Sequence, residues 1–195
     1  MRPSPMPAPP SPLNPRLFSS LRPRRKAPLL ERCRSHLPAA LSDGAQLVGI
    51  NSRLRFYQYF PGAVYRPHVD GAWPPSGRDA KGKYLYDASG GTVKSRFTFL
   101  IYLNEGFAGG ATTFFTAPPG GEGAGAGGEG VVEARGVVPR VGTALVFPHG
   151  DGSGSLVHEG SALGCGTKYV CRTDVLYTVP TKHAGKKPLH QDPRR

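Results

Sequence analysis

The residues with the most chemical promise lie in the run Tyr65-Arg66-Pro67-His68-Val69-Asp70-Gly71. On an extended strand, residues two apart point to the same face, so His68 and Asp70 present an imidazole and a carboxylate side by side. A third ligand completes a two-histidine, one-carboxylate set, which suits non-haem Fe(II) and leaves coordination positions open, although other divalent ions accept the same donors. His158 is the natural third ligand. It lies near a strand end, followed by a turn-rich stretch and then a long strand. His149-Gly150-Asp151 repeats the His-x-Asp spacing but sits among Gly150, Gly152 and Gly154, so it reads as a turn whose side chains cap loop backbone. A supporting role for His149 behind the metal ligands is the alternative.

Lys168 opens the run Lys168-Tyr169-Val170-Cys171-Arg172, ten residues after His158. On a strand, Lys168, Val170 and Arg172 share one face. A cation inside a barrel requires a counter-charge, because an unpaired buried ion costs several kcal/mol. A dicarboxylate co-substrate would supply it; a lysine reaching out of a barrel mouth is the alternative. Arg172 either contacts substrate or pairs with Asp174 or Glu159. Trp73, in a polar loop over residues 73–86, and Arg66 and Arg96 are the substrate-facing candidates, against simple solvation of exposed side chains.

Positioning these groups requires short strands. Leu29, Leu30, Cys33, Leu37 and Leu41 recur at spacings of three and four, which predicts one amphipathic helix over Ala27 to Leu41. Strands are predicted over Gln46–Ile50, Leu54–Phe60, Val64–Val69, Ser95–Leu103, Ala111–Phe115, Gly130–Val138, Thr143–Phe147, Ser155–His158 and Lys168–Val179. Short strands separated by Gly and Pro mean a sandwich or a small barrel. Residues 118–130, almost pure Gly, Glu, Ala and Pro, read as a mobile Gly-rich insertion. The expected organisation is a disordered, basic, Pro-rich leader over 1–25, one domain over 26–180 and a basic tail over 181–195.

The composition agrees. Gly (27) and Pro (21) among 195 residues disfavour a helix bundle. No apolar stretch reaches the ~18 residues of a membrane-spanning helix. Cys33, Cys165 and Cys171 are too few for a disulfide framework, which favours a reducing compartment. The chain carries a formal charge of +12, concentrated at its ends: eight basic residues against one acid over 1–34, and five against one over 182–195. The middle holds 12 basic and 11 acidic residues, which counts against nucleic-acid binding by the core, while the basic ends could bind polyanions weakly. An intracellular protein, cytoplasmic or nuclear, is the simplest expectation. RPRRK over Arg22 to Lys26 vaguely suits nuclear import, and an organelle transit peptide stays open.

Five blocks taken together resemble a known family. They are Tyr59-x-Pro61-Gly62-x-x-Tyr65-x-x-His68-x-Asp70, Phe99-Leu100-Ile101-Tyr102-Leu103-Asn104, Gly109-Gly110-x-Thr112-Thr113-Phe114, Gly142-x-Ala144-Leu145-x-Phe147, and His158 with Lys168. In this order, across about residues 44–180, they resemble Fe(II)/2-oxoglutarate dioxygenases of the prolyl 4-hydroxylase-like group. The resemblance implies a mainly β fold, a distorted double-stranded β-helix (jelly roll) with a short N-terminal helical buttress. It implies Fe(II) held by His68, Asp70 and His158. Lys168 would pair with the distal carboxylate of 2-oxoglutarate, with Tyr102 bonding the same group, Tyr59 lining the pocket and Thr113 facing it. It further implies O2 as oxidant, L-ascorbate as a reductant of the iron, and decarboxylation of 2-oxoglutarate to succinate coupled to hydroxylation of a C–H bond. By analogy the substrate is a proline-containing protein or peptide.

The chain departs from that pattern in two places. It is short before residue 44, which suggests a truncated or divergent N-terminus and weaker stability, and residues 118–130 look like a lineage-specific insertion. Two other readings are carried forward: a catalytically inactive jelly-roll binding module, and a nucleic-acid-associated oxygenase.

Overall fold

A computed structural model describes residues 16–18, 23–117, 132–150 and 154–180. The expectations for 118–130 and 181–195, and Asp151 of the His-x-Asp repeat, lie outside the described residues. Of the expected leader, Arg16–Phe18 forms strand β1. Helix α1 spans Pro23–Cys33, and a 3-10 turn over Arg34–His36 follows. The helix therefore starts before Ala27 and ends well before Leu41. Leu37 is extended (φ −110°, ψ 135°), as a residue preceding proline tends to be, and Pro38 stops the helix there.

The remaining strands are β2 (Leu47–Ile50), β3 (Leu54–Tyr59), β4 (Tyr65–His68), β5 (Gly77–Arg78), β6 (Tyr84–Leu85), β7 (Val93–Tyr102), β8 (Ala108–Gly109), β9 (Thr112–Thr116), β10 (Glu133–Val137), β11 (Ala144–Pro148), β12 (Val157–Gly160), β13 (Leu163–Cys165) and β14 (Lys168–Thr178). The larger sheet runs β1-β3-β14-β7-β11, with β2 pairing the far half of β14; the smaller runs β10-β9-β12-β4. All these pairs are antiparallel, and the two sheets make the jelly roll expected from the sequence. The loop over 73–86 contains the small β5–β6 hairpin, and β8 pairs β13. Among the described residues, no helix is long and apolar enough to cross a membrane.

Strand β14 lies at the centre of the fold. It pairs β3 and β2 on one edge and β7 on the other, and nearly every residue is buried. One face carries Lys168, Val170 and Arg172 into a pocket between the sheets. The other contributes Val175 and Tyr177 to a core with Leu37, Ala45, Ile50 and Phe99. Leu29, Leu30 and Cys33 of α1 pack against that core, so the helix braces the outer side of the larger sheet. The Tyr177 hydroxyl donates to the Pro38 carbonyl at 2.8 Å and ties the chain after the helix to the central strand.

Candidate metal centre and anion pocket

The metal centre begins with strand register. His68 at the end of β4 pairs directly with His158 in β12. Paired residues of an antiparallel ladder project from the same face, and the two rings lie 4.3 Å apart between centroids. Asp70 follows two residues later, just past the strand end. Its Oδ1 is 3.4 Å from His68 Nε2, and its Oδ2 is 3.5 Å from His158 Nε2. One ligand atom from each of His68, Asp70 and His158 falls within 4.8 Å of the others.

The imidazoles are oriented by their own backbone. His68 Nδ1 lies 2.8 Å from the Arg66 carbonyl, and His158 Nδ1 lies 3.1 Å from the Leu156 carbonyl. A carbonyl only accepts, so each Nδ1 carries the proton and each Nε2 turns a lone pair toward the other two groups. His68 Nε2 is buried with no hydrogen-bond partner. Burial also lowers the His158 pKa, which favours the neutral form that metals require. Two imidazole lone pairs and a carboxylate facing one point fit a divalent cation of the Fe(II) type.

Asp70 is held on both oxygens. Thr98 Oγ1 lies 2.6 Å from Oδ2, and Arg172 Nη1 lies 2.7 Å from Oδ1. Burial alone would raise the Asp70 pKa; the His68 imidazole, the Arg172 guanidinium and the Thr98 hydroxyl outweigh it and hold the carboxyl well below its usual range. Behind Thr98 stands His149, buried, with Nδ1 2.7 Å from Thr98 Oγ1 and Nε2 2.8 Å from Ser95 Oγ. The turn-capping reading of His149 is thus corrected. Its side chain points into the core because β11 pairs β7 and sets Pro148 opposite Phe97, next to Ser95 and Thr98.

A second chain of contacts leads away from Asp70. Arg172 Nη2 stands 3.9 Å from Asp174 Oδ1, and Asp174 Oδ2 accepts from Arg55 Nη2 at 2.7 Å. The Arg55 guanidinium lies 5.3 Å from the Trp73 ring centroid, with Arg53 at 4.5 Å. Of the partners weighed for Arg172, Asp174 is a distant one. Glu159 instead accepts from the Ser161 hydroxyl, and sequence reasoning missed the close partner, Asp70. Of the substrate-facing candidates, Trp73 packs against these arginines and Tyr86, Arg96 pairs with Asp43 at 2.6 Å, and the Arg66 side chain is exposed.

The other end of the pocket holds Lys168, which is 4% exposed. Its Nζ donates to the Gly110 carbonyl at 2.5 Å and lies 5.3 and 5.5 Å from the Tyr59 and Tyr102 ring centroids. Among the described residues no carboxylate pairs with it, and burial lowers its pKa to about 8. Tyr59 lines the pocket with Lys168. Tyr102 is buried, its ring near Lys168 and its hydroxyl 2.8 Å from Thr112 Oγ1, which lines the pocket. Thr113 makes a different contact. Alternation along β9 turns Thr112 into the pocket and sends Thr113 to the Ser161 hydroxyl at 2.7 Å. The pair Thr112-Thr113 hid this choice, since only strand register says which of two adjacent threonines faces in.

A family model for the 2OG-Fe(II) oxygenase superfamily matches residues 54–173, which span both histidines, Asp70, Lys168 and Arg172. The chain belongs to the 2OG-Fe(II) oxygenase superfamily. No curated protein matches it. Among solved structures, this oxygenase is similar to a Pseudomonas putida prolyl-4-hydroxylase, with 21% identity and a TM-score of 0.46, covering 80% of this chain and 69% of that one. It is similar also to a viral collagen prolyl hydroxylase from Paramecium Bursaria Chlorella virus-1, with 16% identity and a TM-score of 0.47, covering 85% and 79%. A third is a prolyl hydroxylase in complex with a hypoxia inducible factor peptide fragment, from Trichoplax adhaerens, with 15% identity and a TM-score of 0.44, covering 76% of this chain and 51% of that one. With TM-scores below 0.5, these likenesses are remote, and membership rests on the family model.

Proposed function

We propose that this oxygenase hydroxylates a C–H bond of a protein or peptide, using Fe(II) held by His68, Asp70 and His158. The observation that carries the reading is the convergence of those three ligand atoms within 4.8 Å, with His68 Nε2 buried and unpartnered. When bound, Fe(II) with 2-oxoglutarate and O2 supplies the oxidising chemistry, with succinate and carbon dioxide as the by-products. The residues of the chain do the rest. The Arg66 and Leu156 carbonyls hold the imidazole protons away from the metal, and Thr98 and Arg172 fix the Asp70 carboxylate. Lys168 offers its ammonium to the distal carboxylate of the co-substrate, with Tyr59 beside it.

A prolyl residue is the substrate favoured by the motif blocks. Tyr57 and the more exposed Tyr65 line the pocket and offer aromatic faces for an apolar ring. Ascorbate is the reductant suggested by the same resemblance. The test is an anaerobic titration with Fe(II) and then 2-oxoglutarate, watching for the visible charge-transfer band of the chelated co-substrate. A band that vanishes in His158→Ala supports the assignment. No band from a folded wild-type chain sinks it and leaves a jelly roll that binds without turnover.

A further inference from the structure

Arg172 is buried more deeply than its bonding explains. The residue is 8% exposed and lines the pocket, yet its guanidinium makes one close contact, from Nη1 to Asp70 Oδ1 at 2.7 Å. Nη2 reaches only to 3.9 Å from Asp174, and Nε is buried with no hydrogen-bond partner. A guanidinium carries five N–H donors, and leaving them dry is costly. Asp174 does not repair this: its Oδ2 pairs with Arg55 at 2.7 Å, and its Oδ1, the oxygen facing Arg172, stands at 3.9 Å, beyond hydrogen-bond reach.

Charge points the same way. The pocket is lined by two acids, Asp70 and Glu159, and two cations, Lys168 and Arg172. A divalent metal on the triad would leave two positive charges there, and would compete with Arg172 for the Asp70 carboxylate. The pocket then requires an anion of charge −2, with one negative group near each cation. The two cations project from the same face of β14, four residues apart. Lys168 lies at the Tyr59 end of the pocket and Arg172 at the Asp70 end.

We propose that Arg172 is a second carboxylate-binding residue of this pocket, taking the carboxylate of a 2-oxo acid that lies next to the metal while Lys168 takes the distal one. The assignment rests on the oxygenase reading above and adds to it. In this arrangement Arg172 exchanges part of its contact with Asp70 for the incoming carboxylate, and its unfilled donors find acceptors. The pocket then favours 2-oxo dicarboxylates through two separate cations, each reading one end.

The test uses the full chain loaded with Mn(II), with uptake followed from the electron paramagnetic resonance signal of free Mn(II). Calorimetry then measures 2-oxoglutarate and pyruvate, which lacks the distal carboxylate, on the Mn(II)-saturated protein. Arg172→Gln should weaken both ligands by about 10- to 100-fold, the loss expected for hydrogen bonds between charged groups. Lys168→Met should weaken 2-oxoglutarate by a similar factor and change pyruvate little. Arg172→Lys keeps a positive charge beside Asp70 but loses the fork of donors, so it too should bind pyruvate more weakly; it decides the matter if Arg172→Gln does not fold. Should the folded Arg172 variants bind both oxo acids as tightly as the wild type once saturated with Mn(II), Arg172 is only a counter-ion of Asp70 and the proposal is overturned. A wild-type chain that takes up no Mn(II) overturns the metal reading itself, and this proposal with it.

Discussion

Thr98 Oγ1 lies 2.6 Å from Asp70 Oδ2 and 2.7 Å from His149 Nδ1, and this pair of contacts sets the protons between the carboxylate and the imidazole. The ionised Asp70 only accepts, so the Thr98 hydroxyl donates to it and must accept from His149 Nδ1–H. In the neutral imidazole that burial favours, His149 Nε2 is the acceptor, and Ser95 donates to it at 2.8 Å. The Trp73 backbone N–H donates in turn to Ser95 Oγ at 2.8 Å. Groups behind a metal ligand commonly contribute about 10- to 100-fold to metal affinity. Thr98→Val is therefore expected to weaken Mn(II) binding by about that factor, and Thr98→Ser to restore most of it. Equal affinities in the wild type and Thr98→Val would show that the hydroxyl does not position Asp70.

His158→Ala removes one of the three proposed ligands, at a residue that is 5% exposed. Metal uptake is expected to fall below detection. The rise in melting temperature that a metal gives a protein it binds only when folded should disappear with it. A melting curve with and without Mn(II), run on both proteins, checks this.

Lys168 gives a pH dependence of known sign. Burial lowers its pKa from 10.5 to about 8, so the free protein has lost about half of the ammonium at that pH. A dicarboxylate binds the charged form and raises the pKa again. Affinity for 2-oxoglutarate should thus be flat well below pH 8, begin to fall as pH nears 8, and fall above it by up to about tenfold per pH unit. Calorimetry near pH 8.5 in buffers of different ionisation enthalpy should show uptake of up to about one proton, and Lys168→Met should abolish it. For stability the sign is opposite. The unfolded chain binds the extra proton between about pH 8 and 10.5, so the contribution of Lys168 to folding improves as pH rises through that window.

Gly109 holds the turn that delivers the Gly110 carbonyl to Lys168. Its φ is +76°, and a Cβ built there would stand 2.5 Å from the Ala162 carbonyl oxygen. Both the backbone conformation and the space exclude a side chain. Gly109→Ala should destabilise the fold by roughly 1–3 kcal/mol and weaken 2-oxoglutarate binding along with it. Urea denaturation reads the first effect, calorimetry the second.

Phe99 on β7 is fully buried in the core braced by α1. Phe99→Ala should cost about 3–5 kcal/mol of stability. The loss should appear as a lower urea midpoint with the slope unchanged.

His68, Asp70, His158 and Lys168 were legible as candidates by residue type and spacing, and the structure brings all four to one pocket. Strands β3, β7, β9 and β14 were legible as runs of β-forming residues bounded by Gly, Pro and other turn residues. The helix was legible as an amphipathic pattern, but its end was misplaced. Apolar periodicity continues to Leu41, while the backbone restriction before Pro38 is what stops it.

What the sequence by itself determined, then, is the chemistry available and the class of fold that carries it. Only the tertiary structure decided which groups meet. Register chose Thr112 over Thr113 for the pocket and set His68 opposite His158. It also brought His149 behind Thr98 and gave Arg172 to Asp70 rather than to Glu159. Each of these is a contact between residues far apart in the chain. Local preference is blind to such pairs, because their energy depends on distance and desolvation, which exist only once the sheets have closed around them.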